Sequence, residues 1–461
     1  MTTTTPADRR SGDVAAHSAP AAGRRIPLAL VVAGSMLSGL VNTLLLVLVV
    51  FAGATEPVIT GAGLVGLASS WALLAMLTTR WTSQPQRWAA VPAAVMAVTG
   101  VALLAVTPDN GTLTAAGWVW PPAALVLAVW MLRAARRATT GRTRWLLYPA
   151  IGLVTVTAVG GAVETVTLAH DHGRFEMTGA LYDVGGHRLH LTCTGTGSPT
   201  VVLENGLNEI SPLWNGITTE VSRSTRVCAS DRAGQGWSED AAHPQDGVAV
   251  ATDLHTLLSG AGEHGPFVLA GHSSGGTLAM TYAARYPGQV SGMVLLDSSS
   301  PHQYTDQPDF AGTFAMMRRL LPVFPTLARV GALHLIPAST ATALSPEAAA
   351  EVQAFATSPR GANNMRDEQA QLRVVFTQAQ ALTTFDPKPL AVVTARENAD
   401  ETKGWAAAQD RMAALSTNST HWTVDTTHVG LLDDADGSAD SVRAITAVVT
   451  AVRTGTPMAT R

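Results

Sequence analysis

The sequence predicts an α/β domain preceded by an all-α transmembrane module of about five helices. The chain has 461 residues, of which 47% are hydrophobic and only 14% charged, so it is too apolar to be wholly soluble. Most of the apolar excess lies in the first third. From Tyr182 onward, short apolar segments alternate with helical ones, which is typical of a sheet covered by helices. One of these strands leads through a glycine-rich serine turn into a helix, a pattern typical of a catalytic serine.

The N-terminal third divides into a tail and a membrane module. Residues 1–25 are polar and rich in Thr, Ala and Pro, which predicts a disordered tail. The transmembrane module is expected over 26–169. Five apolar stretches supply its helices, each close to the roughly 20 residues that cross a bilayer: 26–52, 58–78, 88–107, 115–132 and 145–168. Pro121-Pro122 interrupts the fourth stretch, which is the weakest of the predicted spans.

The placement of arginines predicts the orientation of the module. Eleven arginines lie before the first span, between spans two and three, and between spans four and five, whereas the loops 53–57 and 108–115 contain neither Lys nor Arg. Short loops rich in Lys and Arg stay on the cytoplasmic side. The N-terminus is therefore expected in the cytoplasm, and five spans place everything after about residue 169 outside the cytoplasmic membrane. Loss of one span would reverse that orientation.

The membrane module shows little sign of chemistry of its own. Glu164 is the one acidic residue within a predicted span, and an intramembrane carboxylate raises the hypothesis of a functional group. It lies near the end of the fifth stretch, however, where the span is expected to be finishing. No transport motif is evident. The module is therefore expected to serve as an anchor in the lipid bilayer.

The second part of the chain predicts strands and helices in alternation. The predicted strands are Arg188–Cys193, Thr200–Glu204, Arg226–Ser230, Pro266–Gly271, Val290–Asp297, Pro389–Ala395 and His421–Asp425. Helical segments lie between most of them, for example Val248–Leu258, and Ala439–Val452 closes the chain. Residues 301–388 break the alternation because they are helical, Ala-rich and marked by Pro. An insertion between two strands at this point predicts a cap over a substrate pocket.

The most informative motif is Gly271-His272-Ser273-Ser274-Gly275, between the apolar run 266–270 and a helical segment. Strand, G-x-S-x-G and helix form the pattern of a nucleophile elbow, a sharp turn that lifts a serine hydroxyl out of a parallel sheet. Glycines are needed because the strained backbone passes close to the following helix. The motif predicts Ser273 as a nucleophile and assigns His272 a structural role.

Four motifs, in this order, resemble those of the α/β-hydrolase fold family, in its cap-bearing serine-hydrolase branch. They are Glu204–Leu207, where the family usually shows His-Gly; Asp231–Ser238, similar to D-x-x-G-x-G-x-S; the elbow; and Thr427–Gly430 after the last strand. The resemblance implies an α/β-hydrolase domain over 178–461 with its cap at 301–388. It also implies that Asp231–Ser238 braces the loops around the site.

The resemblance implies a catalytic triad in the chain order Ser, acid, His. His428 is the expected base because it follows the last strand. The acid is left open between Asp297, which ends the strand after the nucleophile, and Asp400, which follows the penultimate strand; Glu397 is a third candidate. Asn398 stands where the usual spacing would put the acid. Asp297 is slightly favoured over Asp400, and its alternative role is to cap the next turn, Ser298–Pro301.

Two further features follow from the resemblance. The oxyanion hole is expected to consist of the backbone N–H groups of Leu207 and Ser274. Cys193 and Cys228 are the only cysteines, and each lies near the end of a strand in strands that the family's sheet order makes neighbours. A disulfide is expected between them in an oxidising compartment, with two buried thiols as the alternative. No cysteine or histidine cluster has the spacing of a metal site.

These features predict a membrane-anchored extracytoplasmic serine hydrolase. It is expected to cleave an ester or amide of a small or lipid-like molecule through an acyl-enzyme, without metal or cofactor. The net charge of −4 gives no basic field for nucleic acid. Serine at 273 argues against epoxide hydrolase or dehalogenase chemistry, which would need aspartate there. The alternatives are a catalytically silent ligand-binding or sensor domain, cofactor-free haloperoxidase or C–C hydrolase chemistry and, more weakly, a transporter with a hydrolase appendage.

Overall fold

A computed structural model describes residues 1–3, 25–337 and 341–458. The tail expected over 1–25 therefore lies almost entirely outside the described residues. An α-helical module comes first in the described chain, and an eight-stranded sheet with its helices follows it.

The module consists of six helices. They are α1 (Leu28–Leu45, continued by a π-helical turn at Leu46–Val50), α2 (Glu56–Trp81), α3 (Ala90–Val106, after a 3₁₀ turn at Arg87–Ala89), α4 (Asn110–Ala116), α5 (Trp120–Ala138) and α6 (Tyr148–Arg174, after a 3₁₀ turn at Gly141–Leu146). In the described chain, four helices are long and apolar enough to cross a membrane, or up to five when the bent pair α4–α5 counts as one span. The prediction of an all-α module of about five membrane helices is confirmed.

The fourth predicted span differs in detail from the expectation. Helices α4 and α5 meet at an angle of 47°, and the break lies at residues 117–119. Pro121 and Pro122 do not interrupt a helix but begin α5. A proline fits the first turn because the N–H that it lacks would have no partner within the helix there.

The module has a packed interior and an apolar exterior. Trp71, Leu74 and Met131 are among the buried residues that hold α2 and α5 together with their neighbours. On the outside, Val98 and Val126 are 70% and 71% exposed. Exposed valines along helices of this length are expected where the surroundings are lipid rather than water.

The surroundings of Glu164 are defined by helix α6 and the second part of the chain. Helix α6 continues past this residue to Arg174, and the Glu164 side chain is buried. Its Oε2 lies 2.6 Å from Nε2 of His334, which belongs to the second part of the chain. Glu164 therefore forms a contact between the two parts of the protein.

The sheet has the order β1-β2-β4-β3-β5-β6-β7-β8. Its strands are β1 (Ala180–Asp183), β2 (Arg188–Thr194), β3 (Val201–Glu204), β4 (Val227–Asp231), β5 (Phe267–His272), β6 (Val290–Leu296), β7 (Leu390–Ala395) and β8 (Ser419–Val424). Strands β3 to β8 pair in parallel, and β1 and β2 are antiparallel. Seven of these strands were predicted. The short edge strand β1 was not.

Helices cover both faces of the sheet. Helices α10 to α14 belong to the segment between β6 and β7 and are described below. The others are α7 (Asn215–Val221), α8 (Gly247–Gly260), α9 (Ser274–Arg285), α15 (Arg396–Glu401), α16 (Trp405–Ala413), α17 (Gly430–Asp433) and α18 (Ala435–Thr454). On one face, Ile445 of α18 packs in a cluster with Val294 of β6. On the other, Met280 of α9 packs with Leu269 of β5. The core therefore has two layers, and the sheet lies between them.

Between β6 and β7 the chain forms a helical insertion. Its helices are α10 (Gln303–Asp306), α11 (Phe310–Leu320), α12 (Phe324–Arg329), α13 (Pro346–Thr357) and α14 (Pro359–Ala379). Helix α14 packs on α8 and α9, whereas α12 packs on α2 and α6 of the module. The insertion thus contacts both the sheet's helices and the membrane module.

The register of the antiparallel pair β2–β4 places Cys193 directly opposite Cys228. Their Cα atoms are 4.1 Å apart and the two residues form a disulfide, as predicted. The bond joins the two strands on the β1 side of the sheet.

Candidate active site

The turn after β5 holds Ser273 in a strained conformation. Its φ is +54° and its ψ −126°, a region that residues other than glycine rarely occupy. A Cβ on Gly271 would come within 2.6 Å of the Gly275 backbone, and a Cβ on Gly275 would collide with the carbonyl of Glu204. The glycines of the motif are therefore required by close packing. The turn projects Ser273 at the C-terminal edge of the sheet, before α9 begins.

His428 lies in the loop after β8, where the sequence predicted it. Its Nδ1 is 2.6 Å from Oδ2 of Asp297, and its backbone N–H donates to Oε2 of Glu397 at 2.7 Å. The side chain is a quarter exposed, and it packs edge-on against the ring of Trp405. With Nδ1 bound to a carboxylate, the imidazole presents Nε2 as its free nitrogen.

Asp297 follows β6 and is fully buried. Besides the His428 ring, three donors reach its carboxylate: Nδ2 of Asn398 at 2.6 Å, Nε1 of Trp405 at 2.7 Å and the backbone N–H of Ala395 at 3.1 Å. Four donors satisfy a buried carboxylate and fix its orientation. This arrangement suits a group that positions an imidazole.

The structure places the other two candidate acids differently. Asp400 is exposed on α15, and no contact joins its carboxylate to His428 within the described residues. Glu397 reaches only the backbone N–H of His428. Asn398, at the position where the family usually carries its acid, instead donates to Asp297. The geometry brings Asp297, rather than Asp400, to the histidine.

The two predicted oxyanion donors follow the adjacent strands β3 and β5. Ser274 is the first residue of α9, and Leu207 follows Asn205-Gly206 after β3. Within the described residues, no hydrogen bond occupies the backbone N–H of either one. Two such groups beside the nucleophile can receive a developing oxyanion.

The loop that carries Leu207 is held from several directions. Asn205 donates through Nδ2 to the carbonyl of Ser230 and accepts from Nε1 of Trp214 at 2.8 Å. The Arg232 guanidinium donates to the carbonyls of Asn205 and Gly206 at 2.6 and 2.9 Å. The Asp231–Ser238 segment thus braces this loop, and the Asn205 side chain ties it to the sheet where the family usually has histidine.

A second buried pair, Glu209 and His272, adjoins the site, and sequence analysis missed it. The His272 ring contacts Oε1 of Glu209 at 2.6 Å through Nδ1 and the carbonyl of His428 at 2.9 Å through Nε2. Burial alone would lower the pKa of His272, but the Glu209 carboxylate and the His428 carbonyl raise it above its ordinary value. The other oxygen of Glu209 accepts from the N–H of Gly206. The pair therefore links the Leu207 loop to the His428 loop.

The described residues offer one cluster of potential metal ligands: Cys193, Cys228 and Glu263. Its two sulfurs form the disulfide, and a disulfide sulfur is not the thiolate that binds a metal. The cluster is therefore not a metal centre.

Comparison with known proteins agrees with this architecture. A family model described as the alpha/beta hydrolase fold matches residues 199–393. The chain is 37% identical over 110 residues to the lipase LipV of Mycobacterium tuberculosis. The matched segment covers 24% of this chain and 41% of that protein. It is 32% identical over 146 residues to 2-hydroxymuconate semialdehyde hydrolase of Pseudomonas sp. (strain CF600). This match covers 30% of this chain and 52% of that protein. Matches to two further curated relatives span 33% and 39% of their lengths.

Among solved structures, the Cif epoxide hydrolase from Acinetobacter nosocomialis superposes with a TM-score of 0.51 at 16% identity, covering 61% of this chain and 95% of that chain. A likeness at this identity shows the fold alone. The α/β part of the chain has the α/β-hydrolase fold. The protein thus joins an α/β-hydrolase-fold domain to a module of helices long and apolar enough to cross a membrane.

Proposed function

We propose that this protein is a membrane-anchored serine hydrolase that cleaves an ester or amide through an acyl-enzyme. The observation that carries the proposal is the contact between buried Asp297 and His428, on the same edge of the sheet as the strained Ser273 turn. A serine hydroxyl is a poor nucleophile unless a base accepts its proton. An imidazole oriented by a carboxylate supplies that base.

In the proposed first half-reaction, Ser273 Oγ attacks the substrate carbonyl carbon while Nε2 of His428 accepts the hydroxyl proton. The oxyanion is bound by the N–H groups of Leu207 and Ser274, and each such donor contributes about 3 kcal/mol in known hydrolases. Collapse of the tetrahedral intermediate breaks the bond to the leaving group, which takes the proton from His428. The acyl group is then bonded to Ser273, and Asp297 keeps the ring oriented throughout.

In the second half-reaction, water attacks the acyl-enzyme and His428 takes one of its protons. The second tetrahedral intermediate releases the carboxylic acid, and Ser273 Oγ recovers a proton from His428. Because Glu209 and His272 hold the loops of Leu207 and His428 together, this pair acts in positioning. We assign neither residue to proton transfer.

The proposed location is the extracytoplasmic side of the membrane. The arginine asymmetry supports it, and so does the disulfide, which forms in oxidising compartments. A third support is that Glu56 and Asn110, at the ends of the two loops without Lys or Arg, both contact Arg329 of the insertion. Those loops therefore lie on the same side of the module as the hydrolase domain, as five spans require.

The test is labelling of membranes with a fluorophosphonate probe, which reacts with activated serines. We expect Ser273→Ala to abolish labelling. Asp297→Asn should reduce turnover by roughly 10⁴-fold, the cost of losing a triad carboxylate. Asp400→Asn is the matched control and should react like the wild type. A folded wild-type protein that the probe does not label would contradict the proposal and favour a catalytically silent ligand-binding domain.

A second candidate activity is hydrolysis of a C–C bond. The relative named 2-hydroxymuconate semialdehyde hydrolase favours it, and a serine triad of the same kind can serve that reaction. The discriminating measurement is turnover of 2-hydroxymuconate semialdehyde beside turnover of p-nitrophenyl esters. Faster cleavage of the semialdehyde would replace the esterase assignment.

A further inference from the structure

A cavity of about 670 Å³ lies between the hydrolase domain and the membrane module. Its walls come from α14, from the segment after β4, and from two loops of the module. We call these the hydrolase-side loops: residues 51–55 between α1 and α2, and residues 107–109 between α3 and α4, each taken with the first residues of the following helix. Thr55, Glu56, Pro108 and Leu113 of these loops line the cavity. This volume is typical of a small-molecule site.

The same cavity extends to the first turn of α9, directly after the predicted catalytic serine. Ser274, the residue after the nucleophile, lines it, and so does Leu278 one turn further along α9. Along α14, the lining runs from Asn363, which contacts the module, to Val375, which packs with Leu278. Twelve helical residues span about 18 Å. The cavity thus extends along α14 from the module toward the elbow.

The module side of the cavity is held in place by a buried ionic contact. The Arg329 guanidinium of α12 donates to both carboxylate oxygens of Glu56, which is 2% exposed, and to Oδ1 of Asn110 at 2.7 Å. Nδ2 of Asn363 donates to Glu56 at 2.6 Å. Removing one partner of a buried ion pair is strongly destabilising because the other charge remains unpaired. The hydrolase-side loops are therefore a fixed wall.

Backbone packing supports the same contact. Gly160 of α6 lies so close to the carbonyl of Val330 that a Cβ would collide with it. Nearby, the hydroxyls of Thr60 and Thr326 are 2.7 Å apart. Helix α12 is thus seated between α2 and α6, where it holds the cap against the module.

The lining indicates what kind of ligand the cavity takes. Each guanidinium in the described lining is paired with a carboxylate: Arg232 with Glu368, Arg360 with Asp240, and Arg366 with Asp367. No unpaired guanidinium is therefore present there to bind an anionic headgroup. Near the elbow the lining is apolar, with Leu278, Leu372 and Val375 in one cluster. This combination suits an uncharged molecule with an apolar chain.

Among the described lining residues, one buried polar atom has no partner. Asn364 is 7% exposed, and its Oδ1 has no hydrogen-bond partner within the described residues. A buried acceptor left unpaired costs free energy. A rotation of the Asn364 amide toward the cavity brings this acceptor within reach of a ligand hydroxyl, which is a donor without charge.

We propose that the hydrolase-side loops of the membrane module form one wall of the substrate cavity, and that the cavity binds an uncharged acyl ester whose alcohol part carries a free hydroxyl. This inference rests on the proposed serine hydrolase function and narrows its substrate class. The acyl chain lies along Leu278 and Val375, and the hydroxyl-bearing part lies near Asn364. The membrane module is then part of the substrate site rather than only an anchor.

Binding is tested without catalysis. The full-length Ser273→Ala variant in nanodiscs is incubated with a photoactivatable diazirine ether analogue of 1-monopalmitoylglycerol and irradiated, and labelled peptides are mapped by mass spectrometry. We expect labelled peptides from residues 107–113 and from α14. Adding Leu113→Trp should abolish the label on both because the indole fills the cavity. Ala115→Trp, on the same helix but outside the lining, is the matched control and should keep the label.

Label confined to peptides after residue 178, or label unaffected by Leu113→Trp, would overturn the proposal. The melting temperature of each tryptophan variant shows whether it is folded. The photolabelling result does not depend on serine chemistry, because it is obtained with the Ser273→Ala variant, which lacks the nucleophile. Module labelling in a protein that fluorophosphonate does not modify would count against the proposed hydrolase function alone.

Asn364→Ala tests the hydroxyl contact in the active enzyme. We expect it to lower kcat/KM for 1-monopalmitoylglycerol relative to kcat/KM for ethyl palmitate by about tenfold, the cost of roughly one hydrogen bond. Asn364→Ser retains an acceptor and should recover part of that selectivity. An unchanged ratio between the two substrates would contradict the assignment of the hydroxyl.

Discussion

The carboxylate of Asp297 is placed for a role in positioning His428 rather than for capping the turn that follows it. A capping carboxylate accepts hydrogen bonds from the N–H groups of that turn. Here the N–H of Ser299 donates to the carbonyl of Ser273, and that of Ser300 donates to Oε1 of Gln303. Asp297 also has a φ of +42°. Such backbone strain is commonly found at functional sites.

A second carboxylate predicts a pH-dependent stability. Glu204 is buried, its Oε1 has no partner within the described residues, and burial raises its pKa to about 7, despite the opposing charge of Arg232. The folded state therefore binds this proton more tightly than the unfolded state. As the pH rises from about 4.5 to 7, the free energy of unfolding should fall by about 3 kcal/mol and stay lower above that range.

Glu204→Gln removes this titration. We expect the variant to melt at a higher temperature than the wild type at pH 8, and to match it more closely at pH 5. The melting temperatures at both pH values are measured by intrinsic fluorescence while the full chain is heated in detergent. Glu401→Gln, at an exposed position, is the control and should leave the pH dependence unchanged. A wild-type protein equally stable at both pH values would contradict the prediction.

Single residues show how far the sequence could specify the site. The strained turn at Ser273 was predictable because its signal is local: strand, turn and helix are adjacent in the chain. The acid was not, because Asp297 and Asp400 follow neighbouring strands, and only the fold shows which carboxylate turns toward His428. Glu209 gave no signal, since its contact with His272 joins residues 63 apart.

At the scale of elements, the disulfide predicts how firmly β2 is attached to β4. The bond joins residues separated by 35 positions, and a loop of that size contributes about 3–4 kcal/mol in the chain-entropy account. For a domain of this size, its loss should lower the melting temperature by about 6 °C. We expect dithiothreitol to cause that shift in the wild type.

The double variant Cys193→Ser with Cys228→Ser provides the comparison. It should melt at the temperature of the reduced wild type, and dithiothreitol should have no further effect on it. A wild-type melting temperature that does not respond to dithiothreitol, measured under conditions where thiol titration shows full reduction, would count against the stabilising role.

Elements were predicted where their pattern is strong and missed where it is weak. The predicted bounds of β3 and β7 agree with the structure to within a residue, because each is a continuous buried run of mostly apolar residues. Strand β1 has only four residues at the edge of the sheet, three partly exposed and one exposed, which are too few for a pattern to emerge. The prolines of α5 were taken for an interruption because sequence alone does not show whether a proline lies at a helix start or in its interior.

At the scale of the whole molecule, the topology predicts accessibility from the two sides of the membrane. Gly111→Cys introduces a thiol beside a hydrolase-side loop, and Arg142→Cys introduces one on the opposite, arginine-rich side; both positions are exposed. We expect a membrane-impermeant maleimide to label Gly111→Cys, but not Arg142→Cys, in intact spheroplasts. Both should react after permeabilisation. The reverse pattern would place the hydrolase domain in the cytoplasm.

The cavity could not have been predicted from the sequence. Its walls combine residues near 55, 110, 240 and 365, which no local pattern relates. The sequence predicted two separate parts, a membrane anchor and an enzyme, and none of its patterns predicted a contact between them. The contact between them depends on side chains such as Arg329 and Glu56, which in isolation are ordinary charged residues near helix ends.

The close approach of Gly160 to Val330 has a consequence for the ancestry of this chain. Gene fusion joins domains freely only when the new neighbours do not have to fit each other. Here a membrane helix with any residue other than glycine at the place of Gly160 would push the cap away. We therefore expect the two parts to be inherited together, because a chimera that exchanges either half needs glycine or a compensating change at this contact.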